Sequence, residues 1–174
     1  NGGTTSDTDL IQVRTVAFDS EYGKLAELTK PGYTFNGWFT AETGGTQVTA
    51  KTVHTIATDI TLYAQFTPIT YSISYENLDG ATNANANPET YSIENCPITL
   101  SAPTKKGYTF AGWYVDEALE DVITTIPEGS FGDKTFYAKW TENTYKVIFH
   151  FNNGQDATME QTFSYTEKKA LTLK

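Results

Sequence analysis

The sequence predicts a mainly β, or α+β, chain built from small tandem modules, each with at most a short helix. Internal repetition is the first reason. Gly32-Tyr33-Thr34-Phe35-Asn36-Gly37-Trp38-Phe39 returns as Gly107-Tyr108-Thr109-Phe110-Ala111-Gly112-Trp113-Tyr114, an offset of 107 − 32 = 75. Thr61-Leu62-Tyr63-Ala64-Gln65-Phe66 returns as Thr135-Phe136-Tyr137-Ala138-Lys139-Trp140, and Tyr71-Ser72-Ile73-Ser74-Tyr75 as Tyr145-Lys146-Val147-Ile148-Phe149, both at an offset of 74. One period shared by three landmarks marks duplicated units. The second reason is composition: aromatics make up 14% of the chain and Thr is plentiful, a mixture that suits strands. The third is period-two alternation, as in Tyr71, Ile73 and Tyr75 against Ser72 and Ser74.

With 174 residues and a period near 74, the chain divides into units close to the lower size at which a core alone supports a fold. Residues 1–67 form a first repeat that lacks its opening strand. Residues 69–142 form a complete second repeat, and 143–174 the N-terminal half of a third. In the complete repeat an opening strand at 71–75 is followed by a turn-rich Asn/Ala stretch and a second strand near 90–93. A connector punctuated by Pro97 and Pro103 leads to the Gly-Tyr-Thr-Phe strand. An acidic loop, a middle segment near 122–126 and a closing strand at 135–140 complete it. Leu25 and Leu28, spaced by three, predict a turn or two of helix over 24–30. The third repeat offers strands at 145–151 and 162–165 and then stops.

Net charge is −9 and no Lys/Arg run exceeds two residues, which argues against a nucleic-acid partner. Cys96 is the only cysteine, so no intrachain disulfide forms. No apolar run approaches about 18 residues, so no membrane-spanning helix is expected. No signal-peptide pattern stands within these residues. The opening Asn1-Gly2-Gly3, without an initiator Met, reads as a piece of something longer.

The aromatic motif is the strongest local signal. Tyr33, Phe35 and Phe39 share one strand parity and Trp38 has the other. A bulge at Gly37 would turn Trp38 back toward a core, and Gly112 would do the same for Trp113. Tyr33, Phe35, Trp38, Tyr63, Tyr108, Phe110, Trp113 and Tyr137 therefore read as structural residues, with both tryptophans buried alike. The rival reading is an exposed aromatic platform for sugar rings. Asp116, Glu117, Glu120 and Asp121 place four carboxylates within six positions, enough hard oxygens to suggest calcium. Their spacing fits no EF-hand, and the first repeat has Glu42-Thr43-Gly44-Gly45-Thr46 there, so a solvated loop is expected. His54 and His150 have no second His or Cys at ligand spacing. No nucleophile elbow, zinc-protease helix or phosphate loop is present. No catalytic residue, cofactor or metal is expected.

The chain resembles the Listeria–Bacteroides repeat, the B-repeat type of module of internalin-like bacterial surface proteins. The residues that carry this are Tyr71–Tyr75, the Lys-x-Gly-Tyr-Thr-Phe-x-Gly-Trp element beginning at Lys30 and Lys105, and the Thr-x-Tyr-Ala elements at Thr61 and Thr135. The resemblance implies small β-grasp-like modules, secreted or wall-anchored at the bacterial cell surface. It implies a non-enzymatic role as spacer, adhesion or protein-interaction module, with a host, matrix or glycan ligand unknown. The alternative is a carbohydrate-binding module. The broken ends add one expectation: the segment at 145–151 matches in type the strand that the first repeat lacks, so chains could exchange strands.

Overall fold

Apolar residues alternate in runs of a few residues, and Gly, Pro or Asn interrupts nearly every run, so the backbone forms short strands. The computed structural model describes Thr4, Thr5 and residues 13–152, 154 and 158–167. Among these the chain is strand and loop with one 3-10 turn, Ile93–Asn95. The Asn1-Gly2-Gly3 turn, Asn153 and the last residues of the third repeat lie outside the described residues. Two units form. The first holds Asn1–Tyr71 with Ser92–Cys96 and Glu128–Gly132, and the second holds Ser72–Tyr91, Pro97–Pro127 and Asp133–Lys174.

The first unit contains β1 (Thr4–Thr5), β2 (Ser20–Glu21), β3 (Leu28–Thr29), β4 (Tyr33–Phe39), β5 (Gln47–Val48), β6 (Val53–His54) and β7 (Tyr63–Pro68). Its main sheet is three-stranded and antiparallel, in the order β5-β4-β7. β1 pairs with β3 and β2 with β6 in small separate ladders. The helix expected over 24–30 is not formed. Leu28 enters a strand opposite Thr5, and the Ala26 carbonyl accepts the Trp38 indole N–H at 2.7 Å. That carbonyl is therefore engaged away from the helical ladder, and Leu28 reaches the core from extended backbone instead.

The second unit contains β8 (Tyr71–Glu76), β9 (Thr90–Tyr91), β10 (Ile98–Thr99), β11 (Tyr108–Tyr114), β12 (Val122–Ile123), β13 (Thr125–Ile126), β14 (Lys134–Glu142), β15 (Thr144–His150) and β16 (Thr158–Ser164). Five of these make one sheet, in the order β12-β11-β14-β8-β9. At its centre the opening strand β8 runs parallel to the closing strand β14, with Ile73 opposite Lys134 and Tyr75 opposite Phe136. β10 pairs with β13, and β15 with β16 forms a hairpin of its own. The second strand is shorter than its sequence suggests. It ends at Tyr91, and the Asn95 side-chain oxygen accepts the Ser92 N–H to start the 3-10 turn.

One inserted residue decides where the aromatics point. β4 pairs with β7 as Phe35↔Phe66, then Gly37↔Gln65 and Trp38↔Ala64, so Asn36 is the extra residue. β11 and β14 repeat this as Phe110↔Trp140, Gly112↔Lys139 and Trp113↔Ala138, with Ala111 extra. Gly37 and Gly112 hold φ of 112° and 142°, a backbone region that disfavours L side chains. The bulge reverses parity, so each Trp joins its Phe on one face. Phe39 is thereby moved to the face opposite Tyr33 and Phe35, and Tyr114 to the face opposite Tyr108 and Phe110.

The core of the second unit gathers on that face. Trp113, Tyr91, Phe136 and Ile126 are each no more than 2% exposed. The Trp113 ring lies 5.1 Å from Tyr75 and 5.3 Å from Phe110. The first unit differs. Trp38 is only half-buried, and so is Leu62, which stands where Phe136 stands in the second. Equal burial of the two tryptophans does not hold. The Tyr75 ring, 5.1 Å from Trp113, comes from β8, and among the described residues of the first unit no strand pairs beside β7 as β8 does beside β14.

Trp113→Ala should lower stability by about 3–5 kcal/mol, as expected for a fully buried large aromatic. Trp38→Ala should cost distinctly less, and calorimetry of both variants beside the wild type reads the difference. Burial also pushes the Tyr75 hydroxyl up to about 12. Its native form is therefore neutral where the unfolded chain begins to ionise. Its stabilising contribution is full below pH 10 and is lost as pH rises through about 12. Urea titrations across that window should show Tyr75→Phe losing stability less steeply with pH than the wild type.

Candidate functional site

The repeated aromatic motif is built around a lysine held by a tight turn. Lys30-Pro31-Gly32-Tyr33 and Lys105-Lys106-Gly107-Tyr108 each close a turn, with the Tyr N–H donating to the Lys carbonyl at 3.0 Å and 3.1 Å. Gly32 and Gly107 take φ of 77° and 80°, the positive φ that the third position of a type II turn requires. A turn of this kind places its first and fourth residues side by side. The Lys30 ammonium accordingly sits 3.7 Å from the Tyr33 ring centroid, and that of Lys105 sits 4.8 Å from Tyr108. The closing strand supplies the other ring: Phe66 at 5.6 Å from Lys30, and Trp140 at 5.4 Å from Lys105. Each cation is thus shared between two aromatic faces.

The Trp anchors the same strand from its other end. Trp38 Nε1 donates to the Ala26 carbonyl at 2.7 Å, and Trp113 Nε1 to the Ser101 carbonyl at 2.9 Å. Both bonds reach back twelve residues, so the connector is tied to the bulged strand identically in the two repeats. In the second unit the Ser101 carbonyl also accepts from the buried Asn87 amide at 2.9 Å, and Asn87 Oδ1 accepts the Ser101 N–H at 2.7 Å. The Asn/Ala stretch, legible only as turn-rich, therefore hides a polar staple.

Tyr33, Phe35, Tyr108 and Phe110 are half-buried within these clusters, and none stands out as an open platform. Phe35 packs at 5.3 Å on Phe66, and Phe110 at 5.5 Å on Trp140. Tyr63 faces Phe39 across the ladder and Tyr137 faces Tyr114, on the opposite side of each sheet. The Tyr33 hydroxyl donates to Glu94 at 3.1 Å; desolvation and then that carboxylate hold it above its ordinary pKa.

The acidic loop turns inward on its own backbone. Asp116 accepts the Asp121 N–H at 2.8 Å and the Glu120 N–H at 3.2 Å. These bonds, that from Asp121 foremost, hold the Asp116 carboxyl below its usual value. Leu119 at φ 58° closes the turn, and Glu117, Glu120 and Asp121 do not converge with Asp116 on a point. Among the described residues no group of three or more His, Cys, Asp or Glu side chains could hold a metal ion. His54 accepts or donates at Nδ1 to the Tyr22 hydroxyl, 2.9 Å away, with the rings edge to face. His150 lies exposed on β15. Sequence reasoning missed Lys30 and Lys105 as members of the clusters, although their recurrence at an offset of 75 was the signal.

Lys105→Met keeps the aliphatic stem and removes the charge. It should destabilise the chain by about 0.5–2 kcal/mol in urea titration, the range for a partly desolvated cation between rings. Asp79, whose carboxylate lies 3.5 Å from Lys105 but is 74% exposed, should matter little; Asp79→Asn should stay within roughly 0.5 kcal/mol of wild type.

Comparison with known proteins agrees with the repeated geometry. The family model described as the Listeria-Bacteroides repeat domain matches residues 1–65 and again 71–139. Internalin H of Listeria monocytogenes is 42% identical over 118 residues, which is 66% of this chain and 20% of that protein. A protein of Evansella cellulosilytica carrying the name of a Gly-rich membrane protein is 34% identical over 142 residues, 78% of this chain and 16% of its own length. A second Evansella protein, also named for a membrane, is 34% identical over 144 residues, again 78% of this chain and 20% of its own length. The chain thus spans a fifth or less of each of these relatives. No solved structure is a significant match. Two consecutive matches to one family model, each containing the same lysine turn, bulge and anchored Trp, make this chain a member of the Listeria-Bacteroides repeat domain family.

Proposed function

We propose that the chain is a non-catalytic repeat segment of a bacterial cell-surface protein, serving as a spacer and as an adhesion or protein-interaction module. The observation that carries this is duplication of a purely structural device. The lysine between two rings and the indole bound to a carbonyl occur twice, and both consume the side chains that would otherwise offer chemistry. Asp116 is committed to its loop and His54 to Tyr22. The resemblance to Internalin H and to proteins named for membranes supports an extracellular, surface-associated setting. No helix among the described residues is long and apolar enough to cross a membrane. The sheet order of the second unit, with first and last strands parallel at the centre, supports a β-grasp-like module. The sugar-binding alternative finds less support, because Trp113 is 2% exposed and Phe110 packs between two indoles.

Display on a bacterial surface tests the reading. Cells carrying this chain between an anchor and a reporter domain should present the reporter to antibody as fully as cells carrying an unrelated repeat array of equal length. They should also adhere more strongly to matrix proteins or host cells than that control. Adhesion equal to the control would remove the adhesive role, and poor reporter access would remove the spacer role.

A further inference from the structure

The second unit holds a groove that the duplicated motif does not build. Its floor is apolar: Ile73 on β8, 6% exposed, with Leu78 and Pro88 beside it. Its rim is polar and carries Asn83, Asn85 and Glu89, all from the stretch between β8 and β9. The groove has a volume of about 940 Å³, within the range of sites that enclose a small ligand or a projecting side chain.

The rim is held in place from below. The Asn87 amide, 6% exposed, donates to Asn83 Oδ1 at 2.7 Å and to the Ser101 carbonyl at 2.9 Å. The Asn87 N–H donates to the Ala84 carbonyl at 3.0 Å, and the Tyr75 hydroxyl to the Pro88 carbonyl at 3.0 Å. A rim fixed in advance loses little freedom when a ligand arrives. The same bonds decide which polar atoms stay available. Asn83 Oδ1 accepts both from Asn87 and from the Ala84 N–H, at 2.9 Å, while the Asn83 side-chain N–H groups meet no acceptor among the described residues. The side chains of Asn85 and Glu89 are exposed and make no hydrogen bond or ion pair among the described residues.

Duplication marks what both repeats need in order to fold, and this stretch is not duplicated. Gly3 and Gly154 stand where Gly80 stands in the second repeat, yet residues 4–18 and 155–174 contain no asparagine. The lysine turn, the bulge and the anchored Trp occur twice, whereas the groove belongs to the second repeat alone in its sequence.

The lining specifies the chemistry of an occupant. An apolar floor ending at a carboxylate suits a side chain with an aliphatic stem and a cationic tip, which is lysine or arginine. An Asn side chain offers the donor and acceptor of a peptide group, so it pairs with an extended backbone on either side of that residue. No lysine or arginine occurs between Tyr71 and Tyr91, and the net charge of −9 favours the approach of a cation. A sugar ring is served less well. The Tyr75 ring lies 5.1 Å from Trp113 and 6.2 Å from Phe136, and its hydroxyl is taken by Pro88.

We propose that this groove binds a basic peptide segment of a partner protein. One lysine or arginine side chain of the partner lies along Ile73, Leu78 and Pro88 with its charge at Glu89, and the Asn83 and Asn85 amides pair with the flanking peptide groups. This rests on the reading of the chain as a protein-interaction module and names the chemistry of its partner.

A positional-scanning library of extended octapeptides, probed with the whole chain, tests the groove. At one position or more the wild type should select lysine or arginine over glutamate, and binding should weaken as sodium chloride is raised. The best peptide is then titrated against variants. Glu89→Gln and Asn85→Ala should each weaken binding by about threefold or more, while Glu117→Gln, which removes the same charge from the acidic loop, should change it by less than about 1.5-fold. All three positions are exposed, and circular dichroism verifies folding. No basic preference, or an equal loss in Glu117→Gln, would overturn the proposal. So would a neutral glycan on an array that binds the wild type and is lost in Asn85→Ala. Surface display keeps the two readings apart. Full adhesion by cells carrying Asn85→Ala with Glu89→Gln would remove the groove and leave the adhesive role. No adhesion by the wild type would remove the adhesive role, and the peptide titration would still decide the groove.

Discussion

The structure depends on one constraint: an indole N–H must reach a carbonyl twelve residues earlier, across the core. A buried indole nitrogen without an acceptor is costly, so the connector is drawn under the bulged strand wherever the Trp is buried. The bulge is the geometric condition for this. Were these residues in unbroken alternation, without a bulge at Asn36 or Ala111, the Trp would lie on the face opposite Phe35 or Phe110. The glycine that follows is required because the backbone there adopts positive φ. Gly, Trp and the connector carbonyl therefore act as one unit, and their recurrence at a fixed offset is why the two repeats share one local architecture.

The same motif is nonetheless buried to different depths. In the second unit Trp113 lies against Tyr75 and Phe110, and the Ser101 carbonyl takes a second hydrogen bond from Asn87. In the first, Trp38 keeps its Phe and its carbonyl, but among the described residues no ring stands in the place of Tyr75. Local geometry survives because turn and bulge are set within a few residues. Depth of burial does not, because it needs a strand from the far end of the repeat, brought to the centre of the sheet by parallel pairing.

Polar residues that invite a chemical reading are used to close loops. Asp116 satisfies backbone N–H groups that its own turn leaves unpaired, which stabilises its ionised form and costs it freedom as a ligand. Lys105 has lost most of its water to two rings and a carboxylate. These side chains thereby hold the shape of their own loops.

The amino-acid sequence by itself determined the repeat, its period, the mainly β class and strands at 71–75, at the Gly-Tyr-Thr-Phe motif and at 135–140, which the structure extends to Tyr71–Glu76, Tyr108–Tyr114 and Lys134–Glu142, because alternation, turn glycines and duplication are local properties. It also marked Gly37 and Gly112 as bulge positions. Tertiary structure alone decided the rest. Residues 24–30 carried a helical spacing, yet the pairing of Leu28 and the hydrogen bond to the Ala26 carbonyl keep them extended. Asn87 became a buried staple because its partner is Ser101, fourteen residues away. Trp38 and Trp113 share one sequence context and differ in exposure, because burial depends on which distant strand lies opposite, and no local pattern encodes that neighbour.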